Sequence, residues 1–250
     1  MIKYSLLFFI LFMKTASAQE KYKVSEGFYN LSSFEVASGM YLLENKTFFY
    51  YASFGNVDLK IFGEYSISNH NLLSLQVNKE LTKEFYFYGL NNEIQNDSIK
   101  LYYTKPYSEK AQKLFINTGK ELKKFPEFSI ENNIVSITLE LPKTRKLKIG
   151  CENSEIDSFL NTKEMVEVQL ADGVNEIKIY HNYYSDMAIK ISQMLWKIEK
   201  GVLTENNAAN TKKIQKKEIS KKIINEVSNF IKAEKSKTSI IKEGKTYQKL

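Results

Sequence analysis

The first half of the chain alternates large apolar residues with polar ones over short stretches, a period-2 pattern that is typical of β-strands with one buried face. The stretches are rich in aromatic and β-branched residues, and Asn, Asp, Gly and Ser separate them. They are residues 47–54, 58–67, 72–77, 85–89 and 99–104. Their spacing predicts an antiparallel sheet that closes or folds on itself.

A second group of strand patterns lies at 114–117, 125–130, 134–141, 145–151, 165–170 and 175–181. In the last of these, Ile177 and Ile179 alternate with Lys178 and Tyr180, as a half-buried strand requires. The two groups together predict a mainly β fold with two antiparallel β domains, one small and meander- or barrel-like at 39–105 and one sandwich-like at 112–203. A single large β domain is the alternative, because all-β folds of this length exist.

The segment Ser185 to Gly201 fits two periodicities. Its helical pattern, with Asp186 as the cap, consists of Ile191, Met194, Leu195 and Ile198, and its strand pattern consists of Met187, Ile189 and Ile191. We favour a last strand that runs towards Val202. In either case Trp196 is predicted to lie in the core, since a lone tryptophan in an apolar periodic segment usually serves packing.

The N-terminal residues predict a secretory signal peptide. Residues 1–18 contain one early charge, an apolar run from Leu6 to Phe12, and the small-x-small triplet Ala16-Ser17-Ala18. We expect a mature protein that starts at Gln19, with 19–38 as a lead-in segment. A membrane anchor is the alternative, but the apolar run is well short of the ~20 residues that span a bilayer. The protein is therefore expected to be exported, periplasmic or extracellular, and not an integral membrane protein.

Charge is concentrated at the C-terminus. The net charge is +7, and residues 204–250 hold 12 lysines and 5 glutamates, whereas residues 1–203 hold 24 basic and 24 acidic residues. A polar linker is predicted at 204–211, followed by a basic helical tail at 212–250. Its amphipathic part has one apolar face, formed by Ile219, Ile223, Val227, Phe230 and Ile231.

This C-terminal basic amphipathic helix has three interpretations. In the first, the helix docks on the body of the protein and its lysines face water. In the second, it is a basic arm that contacts an acidic partner, and in the third, it is a disordered tail. In the second interpretation the contacts are Lys212, Lys213, Lys216, Lys217, Lys221 and Lys222. The partner would be another envelope protein, a glycan or an anionic membrane surface. Nucleic acid is not expected, because export removes the protein from it.

Residues 39–75 contain a Gly-x-Tyr pattern twice, at Gly39-x-Tyr41 and Gly63-x-Tyr65. This stretch resembles the repeating strand pattern of lipocalin-like β-barrel domains in bacterial envelope proteins, where such a pattern starts or closes a strand. The resemblance implies a small meandering barrel. One such envelope lipoprotein family also has a lipidated cysteine and a Cys-x-x-Cys pair, and this chain has neither, so that family's metal- or redox-sensing role is not carried over.

Alternation in the same stretch places aromatic residues on both faces of the sheet. Phe48, Tyr50 and Phe62 are expected on one face, and Phe49 and Tyr51 on the other. A sheet with one face in water would not need both sets. The second face is therefore expected to be covered by the other domain, by a partner or by a flat ligand, with packing between domains as the favoured reading.

Candidate chemistry is sparse. The two histidines, His70 and His181, have no metal-ligand spacing around them, and no metal or cofactor is expected. Cys151 is expected to be buried and inert. A Cys151–His181 nucleophile pair is conceivable, since both residues could lie at strand ends, but no sequence signature supports it. The most suggestive cluster for ligand binding is a polar and aromatic loop able to stack on a carbohydrate, or an ordinary tyrosine-rich turn. It consists of Tyr180, His181, Asn182, Tyr183, Tyr184 and Asp186.

These observations predict an exported, non-catalytic binding or scaffold protein of a bacterial cell envelope, with the basic tail as its interaction element. A secreted hydrolase that acts on a glycan through unrecognised carboxylates is the alternative, because sequence does not report the separation of carboxylates in space. A purely structural subunit is a third reading, in which the aromatic residues are buried in an oligomer.

Overall fold

A computed structural model of the chain describes residues 20–92, 97–106, 113–151, 165–205 and 212–250. The fold is mainly β, as predicted, and it divides into two compact units. The barrel unit comprises Met1–Thr82 and Tyr184–Ser236, and the sandwich unit comprises Lys83–Tyr183 and Lys237–Leu250. Each unit thus combines two separate parts of the chain, whereas the domains expected from the sequence were continuous. The predicted signal peptide, and residues 206–211 of the predicted linker, lie outside the described residues.

Eight antiparallel strands form a closed barrel. Five of them come from the predicted N-terminal group and its lead-in: Gly27–Asn30 (β1), Ala37–Leu42 (β2), Thr47–Phe54 (β3), Val57–Ile67 (β4) and Leu72–Val77 (β5). A 3₁₀ turn, Lys79–Thr82, follows β5. The other three strands return from the C-terminal part of the chain: Trp196–Glu199 (β14), Val202–Glu205 (β15) and Lys213–Lys217 (β16). The order of the strands around the barrel is β1-β16-β15-β14-β5-β4-β3-β2.

Large apolar side chains fill the barrel. The fully buried ones include Tyr29, Met40, Leu42, Phe48, Leu59, Ile61 and Leu73. Trp196 belongs to the same core, which confirms its predicted position. Two buried tyrosines satisfy their hydroxyl groups on backbone carbonyls, since Tyr29 Oη donates to Ser25 O and Tyr65 Oη donates to Leu43 O, both at 2.8 Å. An eight-stranded barrel is just wide enough to be filled in this way.

The two glycines of the Gly-x-Tyr pattern lie where no side chain fits. A Cβ atom on Gly63 would come within 2.0 Å of Gln76 O and 2.9 Å of the Phe48 ring. A Cβ atom on Gly39 would come within 2.3 Å of the Phe28 ring. Both values are far below van der Waals contact, so the pattern reflects close packing within the barrel wall.

The predicted distribution of aromatic residues is correct except at Phe62. Phe48 and Tyr50 point into the barrel, while Phe49 and Tyr51 point outwards. Phe62 lies directly opposite Phe49 in the β3–β4 register, so both side chains are on the outer face.

The segment 185–201 contains both of the structures that its pattern allowed. Its first half is the helix α1 (Ser185–Gln193), whose buried Ala188 and Ile191 join the barrel core. Its second half is strand β14, and the chain turns at Gly201, which has a left-handed φ of +78°.

The sandwich unit consists of a six-stranded and a four-stranded sheet around one core. The strands of the six-stranded sheet are Phe85–Leu90 (β6), Ser98–Thr104 (β7), Ile134–Glu140 (β10), Glu176–His181 (β13), Ser239–Lys242 (β17) and Lys245–Lys249 (β18). Their order across the sheet is β10-β7-β13-β6-β18-β17. All its pairs are antiparallel except β13 with β7. The four-stranded sheet has the order β12-β11-β8-β9, with Leu114–Asn117 (β8), Leu122–Lys124 (β9), Lys146–Cys151 (β11) and Val166–Gln169 (β12).

The C-terminal helix is present but shorter than predicted. Helix α2 covers Lys221–Lys235 and begins at Ser220, whose side chain caps it by accepting a hydrogen bond from Ile223 N. The helical prediction is wrong for residues 213–217, which form β16, and for residues 239–249, which form the β17–β18 hairpin. The basic region is therefore divided between the two units.

Candidate functional site

Helix α2 covers the outer aromatic face of the barrel. Val227 and Ile231 are buried against Leu43 and Phe62, in a cluster that also includes Phe49 and Phe230. The Phe230 ring makes edge contacts with both outer phenylalanines, at centroid distances of 5.4 and 6.5 Å. Fully burying a valine or isoleucine side chain, as at Val227 and Ile231, stabilises a fold by about 1.5–3 kcal/mol. The aromatic residues on the second face thus hold the helix to the barrel.

A groove lies between the C-terminal half of α2 and the β2–β3 turn. It has a volume of about 390 Å³ and is lined by Asn45, Thr47, Ser228, Ile231, Lys232, Lys235 and Ser236. Lys232 and Lys235 are exposed and make no salt bridge within the described part of the chain. Two ammonium groups beside hydroxyl and amide side chains form a wall of hydrogen-bond donors. We call this surface the basic groove.

The lysines predicted to contact an acidic partner lie outside the basic groove. Lys212 donates to Ser32 O at 3.1 Å, and Lys216, half-buried, forms a salt bridge of 3.2 Å with Glu218. Lys213 and Lys217 are exposed on β16. The remaining two, Lys221 and Lys222, are exposed in the first turn of α2, with Lys222 4.0 Å from Glu226. Cations at this end of a helix oppose its dipole.

The predicted cluster 180–186 is divided between the two units and between the two faces of β13. Tyr180 and His181 are neighbours on β13 and therefore point to opposite sides of the sheet. Asn182 is buried and anchors the chain, since its backbone N donates to Glu84 O at 2.7 Å. Tyr183 belongs to the sandwich unit, whereas Tyr184 packs with the barrel core and Asp186 lies in the first turn of α1.

Tyr180 lies on a face of the six-stranded sheet that carries several tyrosines and lysines, of which Lys178 and Tyr247 are buried. Its ring meets the Tyr88 ring at 5.9 Å. The ammonium of Lys178 lies 4.7 Å from the Tyr102 centroid and 4.9 Å from that of Tyr247. Glu176 is buried nearby and accepts hydrogen bonds from Tyr247 Oη and, at 3.0 Å, from Asn92.

Glu176 is held in its charged form by these partners. Burial alone would raise the pKa of its carboxyl group, but the hydrogen bonds from Tyr247 and Asn92, together with the charges of Lys245 and Lys178, outweigh burial and lower the pKa below its ordinary value of 4.5. The network ties the C-terminal hairpin to β13.

Three side chains that can ligate a metal meet at one end of the sandwich core. Glu84, Cys151 and His181 each offer one ligand atom, and the three atoms lie within 4.8 Å of one another. The predicted burial of Cys151 is confirmed, and the other two residues are half-buried. His70, by contrast, is exposed in a turn of the barrel unit. The sequence pointed only to Cys151 and His181 as a conceivable pair at strand ends; it has no metal-ligand spacing that would add Glu84, because the three residues come from three distant strand ends.

Two further residues surround this cluster. Tyr103 is fully buried, and burial raises the pKa of its hydroxyl group well above the ordinary range, with contributions from Cys151, to which it is hydrogen-bonded, and from Glu84. The Phe85 ring makes an edge contact with the His181 ring at 5.4 Å. These contacts restrict the orientation of the cysteine and of the imidazole.

Comparisons with protein families, with curated proteins and with solved structures found no match to this chain. The resemblance to lipocalin-like envelope domains therefore stays a prediction from the Gly-x-Tyr pattern. Within the described residues, none of the helices combines the length and the apolar character needed to cross a bilayer.

Proposed function

We propose that the protein is an exported, non-catalytic binding component of a bacterial cell envelope, and that its basic groove holds the anionic headgroup of a membrane lipid. The observation that supports this most directly is the pair Lys232 and Lys235, exposed and without salt bridges in the described residues, beside four hydroxyl or amide side chains. Export rests on the N-terminal pattern of the sequence.

The physical case combines charge with position. Each lysine near an anionic lipid surface contributes about 1 kcal/mol to binding, and salt screens this contribution. The hydroxyl and amide groups of Asn45, Thr47 and Ser228 add hydrogen-bond donors for phosphate oxygens, whereas Ser236 Oγ already donates to Ala233 O at 2.9 Å. Because α2 is fixed to the barrel by Val227 and Ile231, the lysines are presented by a rigid element rather than by a loose tail.

The first test compares co-sedimentation of the full chain with phosphatidylcholine vesicles that contain or lack phosphatidylglycerol. Removing both groove lysines in the Lys232→Gln/Lys235→Gln variant should cost about 2 kcal/mol, which is on the order of a 30-fold loss of affinity. The matched control is Lys242→Gln/Lys245→Gln, which removes the same charge from exposed positions on the C-terminal hairpin. Its affinity should fall by less than about threefold.

Salt provides a second readout. Binding to the anionic vesicles should be lost at about half-molar salt, where the Debye length is only about 4 Å. Equal losses in the two double variants would mean that total charge, rather than the basic groove, determines binding. Failure of the wild-type chain to bind the anionic vesicles at low salt would refute the proposal.

A further inference from the structure

We propose that Glu84, Cys151 and His181 form a binding site for a divalent transition-metal ion, and that Zn²⁺ is the ion that this set of ligands fits best. The three ligand atoms already lie within 4.8 Å of one another. The site belongs to the sandwich unit and does not depend on the basic groove.

The strand register explains how the fold assembles the ligands. His181 is the last residue of β13 and lies opposite Phe85, the first residue of β6, so Glu84 lies next to the end of β13. Asn182 fixes this junction through its backbone bond to Glu84 O and through its side-chain amide, which donates to Lys83 O at 2.9 Å. Cys151 ends β11 in the facing sheet. The site thus joins the two sheets at one end of their shared core.

The chemistry of the ligands matches Zn²⁺. Thiolate, imidazole and carboxylate are the protein ligands that this ion takes, whereas Mg²⁺ and Ca²⁺ prefer oxygen alone. A thiolate and a carboxylate beside a neutral imidazole carry two negative charges, which a divalent cation neutralises.

The geometry favours a metal over a nucleophilic triad. In a Cys-His-Glu triad the imidazole lies between the thiol and the carboxylate, which keeps those two groups on opposite sides of the ring. Here the cysteine sulfur and the Glu84 carboxylate are also within 4.8 Å of each other, so the three atoms form a triangle. Bond lengths of ~2.0–2.3 Å around a tetrahedral ion would place ligand atoms about 3.3–3.6 Å apart. Rotation of the side chains can provide this contraction.

The surroundings resemble the outer shell of a metal site. Tyr103 is hydrogen-bonded to Cys151 from a fully buried position, and the Phe85 ring restrains the imidazole. Such outer-shell partners orient ligands and typically change metal affinity 10- to 100-fold when they are removed. Three protein ligands leave a fourth position for water, and the half-buried Glu84 and His181 provide access from solvent.

The test is a titration of the full, tag-free chain with Co²⁺, followed by displacement with Zn²⁺. Wild-type protein should bind one equivalent and show the charge-transfer absorption of a thiolate–Co²⁺ bond, which Zn²⁺ removes. Cys151→Ser should abolish this absorption, and His181→Gln should weaken binding by about 100-fold or more. His70→Gln alters the other histidine of the chain and should leave affinity unchanged within about twofold.

Circular dichroism of each variant checks that it folds, and Glu84→Gln, at a half-buried position, offers a milder change with an expected loss of about tenfold. The proposal is overturned if Co²⁺ gives no thiolate absorption with folded wild-type protein, or if His70→Gln and His181→Gln weaken binding equally. It is also overturned if no metal binds while His181→Gln slows alkylation of Cys151, because the cluster would then be an activated thiol.

Discussion

Replacing Gly63 with alanine should destabilise the barrel unit through a clash with the backbone. The added methyl group would lie 2.0 Å from Gln76 O, which cannot move without displacing β5, and 2.9 Å from the Phe48 ring. Overpacking of this kind costs about 1–3 kcal/mol or more, whereas the lower entropy of the unfolded chain returns only about 0.4–1 kcal/mol. We therefore expect a net loss of roughly 2 kcal/mol in the free energy of unfolding.

The assay is urea unfolding followed by the fluorescence of Trp196, the single tryptophan, which is buried in the barrel core and so reports that unit alone. The control is Gly55→Ala, at a turn where a Cβ atom would meet nothing within 4 Å but where φ is +54°. Strain in that left-handed conformation should cost about 1 kcal/mol. If Gly63→Ala is no more destabilising than Gly55→Ala, close approach of the strands does not explain the Gly-x-Tyr pattern.

Three other predictions concern stability. Tyr65→Phe removes a buried hydrogen bond and should cost about 1 kcal/mol in urea unfolding, more than Tyr50→Phe does. The lowered pKa of Glu176 stabilises the fold at pH values above the ordinary carboxyl pKa, and this contribution should disappear as the pH falls through the folded-state pKa. The protection of β13 amides against hydrogen exchange should then fall in wild type but not in Glu176→Gln. An equal fall of protection in that variant would contradict the assignment. Lys221→Glu places a negative charge at the positive end of α2 and should raise the free energy of unfolding by about 0.5–1 kcal/mol. An unchanged or lower value would contradict a favourable interaction with the helix dipole at this position.

Much of the fold could be predicted because the apolar period of each strand is local. The predicted bounds of 47–54, 72–77 and 114–117 coincide with β3, β5 and β8. The aromatic segment 125–130 is not a strand; it contains Pro126, which has no N–H group to donate to a ladder, and β9 lies just before it.

Closure of the barrel could not be predicted from local patterns. Strand β16 pairs with β1, so that Phe28 lies opposite Lys217 and Tyr29 opposite Lys216. Residues 212–217 are polar in nearly every position, which gives neither a helical nor a strand period. The prediction of helical turns there was an extension of the true helix α2, whose apolar face was correctly identified at Val227 and Ile231.

The candidate metal site was hidden from the sequence for a related reason. Metal-ligand motifs are recognised by short spacing, whereas Glu84, Cys151 and His181 are brought together only by the register of β6 with β13 and by the packing of the two sheets. The basic groove was partly predictable. The sequence located the excess charge in the C-terminal region, but the groove lysines became distinguishable only when the β2–β3 turn was placed beside α2.

The most direct test of the proposed function is hydrogen–deuterium exchange of the full chain with and without phosphatidylglycerol vesicles. If the basic groove holds lipid headgroups, exchange should slow in residues 45–47 and 228–236, while the exposed hairpin around Lys242 and Lys245 should be unaffected. If the protein binds the vesicles but protection falls on the tyrosine and lysine surface of the six-stranded sheet, or is spread over every basic segment, the basic groove is not the site of recognition.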